Sequence, residues 1–142
     1  MKSYYELTLD VPGGLGPETV IDTSTHPPQV SSLHFIFSGR PGDQLVECFP
    51  CFLVTKYLAR AFENSHLTGF ELGDAKIERD EQSEELDPDL KLPDYFWLKV
   101  VGKLDQDDFS ITEDYNLCVS QRALDLINKT SPTDLSVERR EA

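Results

Sequence analysis

Apolar and polar residues alternate at the start of the chain. Residues 4–11 read YYELTLDV, so that every second residue from Tyr5 to Val11 is apolar. A period of two is typical of a β-strand that is buried on one face. By the same criterion, further strands are predicted for residues 32–39, 67–78 and 134–140.

The segment YFWLKVVG, residues 95–102, has a different pattern. Both of its faces are apolar, and Lys99 is the exception. A strand with two apolar faces needs cover on both sides or a central position in its sheet. We therefore expect this strand near the middle of the fold.

A pattern of strand running into helix occurs twice, 65 residues apart. The segment FLVTKYLARAF, residues 52–62, matches LCVSQRALDLI, residues 117–127, in the kind of residue at most positions. In both copies the strand ends at a hydroxyl residue, Thr55 or Ser120, which can accept hydrogen bonds from the first free amides of a helix. Each predicted helix is about nine residues long, so packing against a sheet must stabilise it.

Three segments lack a regular period. Residues 12–31 contain four prolines and three glycines, which predicts a long Pro/Gly-rich loop of a kind often used in binding. Residues 79–94 are polar and acidic and are also predicted as a loop. Residues 138–142 are predicted as a frayed tail.

Together these elements predict a single domain, residues 1–142, of the α+β class. We expect a mainly antiparallel, twisted sheet of about five or six strands, with two short helices packed on one face. The sheet and helices would be built from two similar strand–helix–strand units. A chain of 142 residues can bury a core without disulfides or metal.

The charge of the chain narrows the choice of partners. Twenty-six acidic residues against 13 basic ones give a net charge of −13. Phosphate backbones and anionic lipids repel such a protein, so we expect neither a nucleic-acid nor a membrane partner. No secretory signal and no membrane-spanning run is recognisable, which predicts a cytoplasmic location.

Cys48 and Cys51 have the Cys-x-x-Cys spacing of redox and zinc proteins. However, the predicted helix begins at Lys56, too far along the chain for its positive end to lower the pKa of either thiol. In the second copy of the repeat, Asn116 replaces Cys51, so the cysteines do not recur with the fold unit. We interpret the pair as scaffold and Cys118 as a small buried hydrophobe, and keep a thiol-redox or zinc protein using Cys48 and Cys51 as the alternative.

The histidines supply no catalytic triad. His34 alternates with apolar residues within a strand, which favours a structural position on a sheet. His26 and His66 lie in turn-like segments and are predicted to be solvated. Since no nucleophile and base stand in a recognisable motif, we predict a protein without enzymatic activity and without a cofactor.

Carboxylates form the candidate partner-binding surface. Charged groups at the rim of an interface mainly accelerate association, and exposed aromatic residues serve as anchors. A solvated loop that keeps the protein soluble is the alternative. The candidate partner-binding residues are Asp80, Glu81, Glu84, Glu85, Asp87, Asp89, Asp105, Asp107 and Asp108.

The order of several segments resembles a group of small acidic bacterial immunity proteins from polymorphic-toxin systems. The resemblance covers about residues 35–130 and rests on the tryptophan-containing strand YFWLKVVG, the DDF turn and the LCVS strand-to-helix step. Cys118 stands where an aliphatic residue is expected. The resemblance implies a non-catalytic protein that binds and neutralises a cognate toxin.

These observations favour an immunity protein whose acidic surface attracts a basic toxin. A structural subunit of a larger complex is a further alternative, and the sequence leaves a homodimer open.

Overall fold

A computed structural model describes residues 3–9, 11–24, 28–38, 44–130 and 136–140. These residues form twelve strands and three helices. The strands are β1 (Tyr4–Thr8), β2 (Gly13–Leu15), β3 (Val20–Asp22), β4 (Gln29–Phe37), β5 (Leu45–Cys48), β6 (Cys51–Thr55), β7 (Phe70–Gly73), β8 (Ala75–Arg79), β9 (Tyr95–Val100), β10 (Phe109–Ile111), β11 (Leu117–Ser120) and β12 (Ser136–Arg140). The helices are α1 (Lys56–Asn64), α2 (Glu81–Leu86) and α3 (Gln121–Thr130).

The prediction of one sheet of five or six strands with two helices was wrong. The described strands form three sheets of four strands each. One sheet has the order β10-β11-β1-β12, a second has the order β5-β6-β9-β7, and in the third β4 pairs with β2, β3 and β8. Of the described strand pairs, only β4 and β8 run parallel.

Most of the additional elements are short: β2, β3 and β10 have three residues each, too few to establish a period. Residues 12–31, predicted as a loop, contain β2, β3 and the start of β4. The acidic residues 79–94 contain α2, and residues 67–78 form two strands, β7 and β8. Residues 138–140 belong both to the predicted strand 134–140 and to the predicted frayed tail 138–142, and the structure places them in β12, paired with β1.

Two of the sheets are built in the same way. In one, the hairpin β5–β6 continues into α1 and then β7, while β9 lies between β6 and β7. In the other, the hairpin β10–β11 continues into α3 and then β12, while β1 lies between β11 and β12. Each hairpin–helix–strand unit is therefore completed by the strand that precedes the other unit in the chain.

Both helices of the repeat begin where the sequence predicts. Thr55 precedes α1, and its Oγ1 accepts a hydrogen bond of 3.3 Å from the amide of Leu58. Ser120 precedes α3, and its Oγ accepts one of 3.3 Å from the amide of Ala123. No helix among the described residues is long and apolar enough to cross a membrane.

The larger core joins the two units. Helices α1 and α3 contact each other and bury their apolar faces against strands of both sheets. Three aromatic rings meet there: the centroid of Phe62 lies 4.9 Å from that of Phe109, and both contact Phe70. Edge-to-face and tilted ring contacts of this kind add to the free energy gained from burial.

A second core lies on the other face of the sheet β5-β6-β9-β7. Strand β4 places Leu33, Phe35 and Phe37 against side chains of β5, β6 and β9, including Trp97. On its opposite face, β9 contributes Leu98 to the first core. The expectation that the strand in residues 95–102 is covered on both sides is therefore confirmed.

The two helix caps provide a test of the repeat. Replacing Thr55 with alanine should lower the free energy of unfolding by about 1–2 kcal/mol, because an amide of the first turn loses its acceptor and Gln44 Oε1 loses the hydroxyl that donates to it at 2.9 Å. Replacing Ser120 with alanine should cost about 2 kcal/mol, since Ser120 also donates to the Asp108 carboxylate at 2.6 Å. Urea unfolding followed by circular dichroism measures both values.

Thr55→Ser and Ser120→Thr are the matched controls for these caps. Each retains a hydroxyl and should lie within about 0.5 kcal/mol of the parent protein. Negligible effects of both alanine variants would contradict the role given to these caps.

Candidate functional site

The acidic residues predicted to bind a partner occupy different environments. Glu81, Glu84, Glu85 and Asp89 are exposed, whereas Asp80 and Asp87 are partly buried. All six belong to what we call the acidic segment, residues 80–89, which contains α2. Asp105 is exposed in the turn after β9, Asp107 is partly buried there, and Asp108 is buried.

Hydrogen bonds within the acidic segment give it a defined shape. The Asp80 carboxylate accepts a hydrogen bond of 2.8 Å from the amide of Ser83 and so caps α2. Hydrogen bonds from the side chain and backbone of Ser83 lower the pKa of Asp80. The carboxylate therefore stays ionised, and the helix it caps directs Glu81, Glu84 and Glu85 into solvent.

Arg79 attaches this segment to the sheet. It is the last residue of β8, and its guanidinium donates to the carbonyl oxygens of Ser83 at 2.6 Å, Asp87 at 2.8 Å and Leu90 at 3.1 Å. Since β8 pairs with β4, the guanidinium connects the acidic segment to the strands of the second core. The carboxylates are therefore displayed from an ordered support.

Leu86 is the functional candidate that sequence reasoning missed. Leu86 is the last residue of α2 and is 78% exposed. It is the one apolar residue of this helix, whose other residues are polar or acidic. The signal was present in the sequence, because EQSEEL contains one apolar residue and therefore no stripe that would bury it. An exposed leucine beside carboxylates is a combination found at protein interfaces, where an apolar centre has a charged rim.

Asp108 has a structural role that removes it from the surface. The residue is 6% exposed, and Arg122 donates to both of its carboxylate oxygens, from Nε at 2.9 Å and from Nη2 at 2.6 Å. Ser120 Oγ donates to Oδ1 at 2.6 Å, and the amide of Thr68 donates to Oδ2 at 2.8 Å. We call this arrangement the Asp108 clamp.

The Asp108 clamp connects the two repeat units. Thr68 follows α1 in the first unit, whereas Ser120 and Arg122 belong to the second. Burial by itself would raise the pKa of Asp108, but hydrogen bonds from Arg122, Ser120 and Thr68 outweigh burial and hold the pKa well below its ordinary value. Asp108 is therefore an ionised internal residue, while the neighbouring Asp107 accepts a 2.7 Å hydrogen bond from the amide of Lys103.

The cysteine pair belongs to the second core. Cys48 and Cys51 are opposite each other at the turn between β5 and β6, and both are buried as free thiols. Burial raises the pKa of the Cys48 thiol far above its ordinary value and raises that of Cys51 to about 12. Because nucleophilic and metal-binding cysteines act as thiolates, this environment supports the interpretation of the pair as scaffold.

Metal ligation finds no further support in the geometry. The described part of the chain holds no group of three or more His, Cys, Asp or Glu side chains placed to bind a metal. Cys118 is fully buried in β11, as expected for a small hydrophobe.

The histidines differ in environment. His34 is buried in β4, where Nδ1 accepts a 3.2 Å hydrogen bond from the amide of Glu18 and Nε2 lies 3.0 Å from the Glu78 carboxylate. The hydrogen bond between His34 Nε2 and the Glu78 carboxylate lowers the pKa of Glu78, and the nearby positive charge of Lys76 lowers it further. The ring is thus held as a structural group. His66 is exposed, and His26 lies outside the described residues.

The Asp108 clamp predicts a specific loss of stability. Arg122→Met leaves a buried carboxylate without its charged partner, so the free energy of unfolding should fall by about 2–4 kcal/mol. Arg122→Lys keeps the charge but loses the two-pronged geometry, and about half of that loss is expected. Lys129→Met, on the exposed side of the same helix, is the control and should change stability little.

The clamp also predicts a dependence on pH. Because folding lowers the pKa of Asp108, its stabilising contribution is complete above the ordinary carboxyl pKa of about 4 and is lost as the pH falls below that value. The stability difference between the parent protein and Asp108→Asn should therefore shrink when urea unfolding is repeated between pH 5 and pH 2. A difference independent of pH would contradict the ionised state of Asp108.

The raised pKa values of the thiols predict slow chemical modification. In the native protein at pH 8, Cys48 and Cys51 should react with a thiol reagent such as dithionitrobenzoate only as fast as the protein opens. In urea both should react at once, and absorbance at 412 nm follows the reaction. Rapid labelling of either residue below pH 7 would favour the redox or zinc alternative.

Comparisons with known proteins gave no match, either to a protein-family model or to a curated protein sequence. The function proposed for this chain therefore depends on the motif resemblance and on the geometry of its described residues.

Proposed function

We propose that this protein is an immunity protein that binds a cognate bacterial toxin and neutralises it without catalysing a reaction. The partner is a basic protein, and its contact surface on this chain is the acidic segment with α2. The observation that carries the proposal is that this segment presents carboxylates and one exposed leucine from an ordered support.

Order in the acidic segment favours tight binding. A flexible acidic loop would lose conformational entropy when a partner immobilises it, and that loss would weaken the complex. Here the guanidinium of Arg79 and the cap at Asp80 already hold the backbone in place. A toxin would therefore meet a surface whose shape needs little adjustment.

The charges and the leucine have separate roles in this proposal. The carboxylates of Glu81, Glu84, Glu85 and Asp89 attract a basic partner and accelerate association. Leu86 then enters an apolar depression of the partner, where exclusion of water slows dissociation. Asp105, which is exposed, adds to the negative field, whereas the buried Asp108 makes no contact.

A kinetic experiment tests this division of roles. Changing Glu81, Glu84 and Glu85 together to lysine should reduce the association rate about 10–100-fold at low salt, with a small change in the dissociation rate. Leu86→Ser should instead increase the dissociation rate about tenfold. Surface plasmon resonance with a catalytically inactivated form of the cognate toxin measures both rates.

The control for this experiment is a triple variant that makes the same change in net charge elsewhere. Glu71, Asp114 and Asp125 are exposed and lie outside the acidic segment, so changing them to lysine should have a much smaller effect. An equal loss in the control would show that net charge, and not this surface, governs binding. Co-expression that gives neither growth rescue nor a complex on a sizing column would overturn the proposal.

A further inference from the structure

A groove of about 500 Å³ lies where the start of β4, the β5–β6 turn and the end of β9 meet. The acidic segment does not contribute to its lining. The described residues that line it are Pro28, Gln29, Val30, Pro50, Cys51, Phe52, Trp97, Leu98, Lys99, Val100, Val101 and Ile111.

The lining of the groove has the composition of a ligand site. Most of its lining residues are apolar or aromatic, although the groove is open to solvent and also exposes polar atoms, and its volume is within the range of about 300–1,000 Å³ found for small-molecule pockets. Val101, at the end of the groove, is 60% exposed although it is apolar. Such sites usually add to their apolar walls a few polar groups that orient the ligand.

Lys99 is the one charged residue among the described residues that line this groove. Its Nζ lies over the indole ring of Trp97, 4.5 Å from the ring centroid. Glu71 is opposite Lys99 in the pairing of β7 with β9, yet no salt bridge joins the two side chains. In a chain of net charge −13, this ammonium therefore lacks a carboxylate partner within the described structure.

The larger pocket near Arg122 is a weaker candidate. It has a volume of about 670 Å³ and is lined by the residues of the Asp108 clamp. Its guanidinium already binds both carboxylate oxygens of Asp108, so a ligand would have to compete with an internal salt bridge. Lys99 has no such competitor.

We propose that the groove binds a small carboxylate with an apolar body. The carboxylate accepts a charge-assisted hydrogen bond from the Lys99 ammonium, and the body packs against Trp97, Val101 and Ile111. This site is independent of the toxin-binding surface, because none of its lining residues lies in the acidic segment.

The chain contains a single tryptophan, which gives a direct readout of this groove. Trp97 fluorescence, excited at about 295 nm, and the indole N–H signal in a ¹⁵N–¹H spectrum should change saturably as phenylacetate is added. Phenylacetamide has the same apolar body without the charge, and it should bind at least about tenfold more weakly. Equal binding of the acid and the amide would overturn the role of Lys99.

Variants locate the site. Lys99→Met keeps an apolar stem over Trp97 and should weaken phenylacetate binding at least about tenfold. Lys129→Met removes a charge outside the groove and should leave binding unchanged. Glu71→Gln should strengthen it, since the nearest strand-paired carboxylate is then neutral.

A variant at a second groove residue controls for indirect effects of the Lys99 substitution. Val101→Asp leaves Lys99 in place but adds a carboxylate to the groove, and it should abolish phenylacetate binding while circular dichroism stays unchanged. Binding that survives both Val101→Asp and Lys99→Met, or the lack of any saturable change in Trp97, would overturn the proposal. Neither result would bear on the toxin-binding surface.

Discussion

The fold depends on the exchange of two strands between its repeat units. β1 lies between β11 and β12, and β9 lies between β6 and β7, so each strand supplies the backbone partners that the other unit requires. Buried amide and carbonyl groups without partners are costly, and neither unit can satisfy its own from its hairpin, helix and final strand. The units must therefore form together. The Asp108 clamp and the ring contacts of Phe62, Phe70 and Phe109 lie where they meet.

The two sheets of the repeat differ because, within the described residues, only the sheet β5-β6-β9-β7 is covered by β4. Strand β4 covers the outer face of β5-β6-β9-β7 and makes a second core there, so the cysteine pair is enclosed with Phe35 and Trp97. Enclosure raises the pKa of both thiols, which disfavours the thiolate form that redox and zinc sites require. The same cover ends near Val30, where the groove beside Lys99 begins.

Two surfaces of opposite character follow from this arrangement. The acidic segment continues from β8 and is held by Arg79, so its charges project from the edge of the β4 sheet. The described lining of the groove contains one cation, Lys99, which lies on the ring of Trp97. A protein partner with a basic surface suits the first, and a small anion with an apolar body suits the second. The two proposed ligands would therefore contact different residues and would not compete.

The sequence by itself determined the features that depend on near neighbours. Thr55 and Ser120 each cap a helix through an amide three residues away, and the two apolar faces of residues 95–100 require cover wherever that strand lies. Tertiary structure decided the rest. Asp108 is buried because Thr68, 40 residues away, and Arg122 converge on it, and β2 and β3 become strands because β4 pairs with them. These outcomes depend on which segments meet in space, and a local period of two or 3.6 residues carries no information about that.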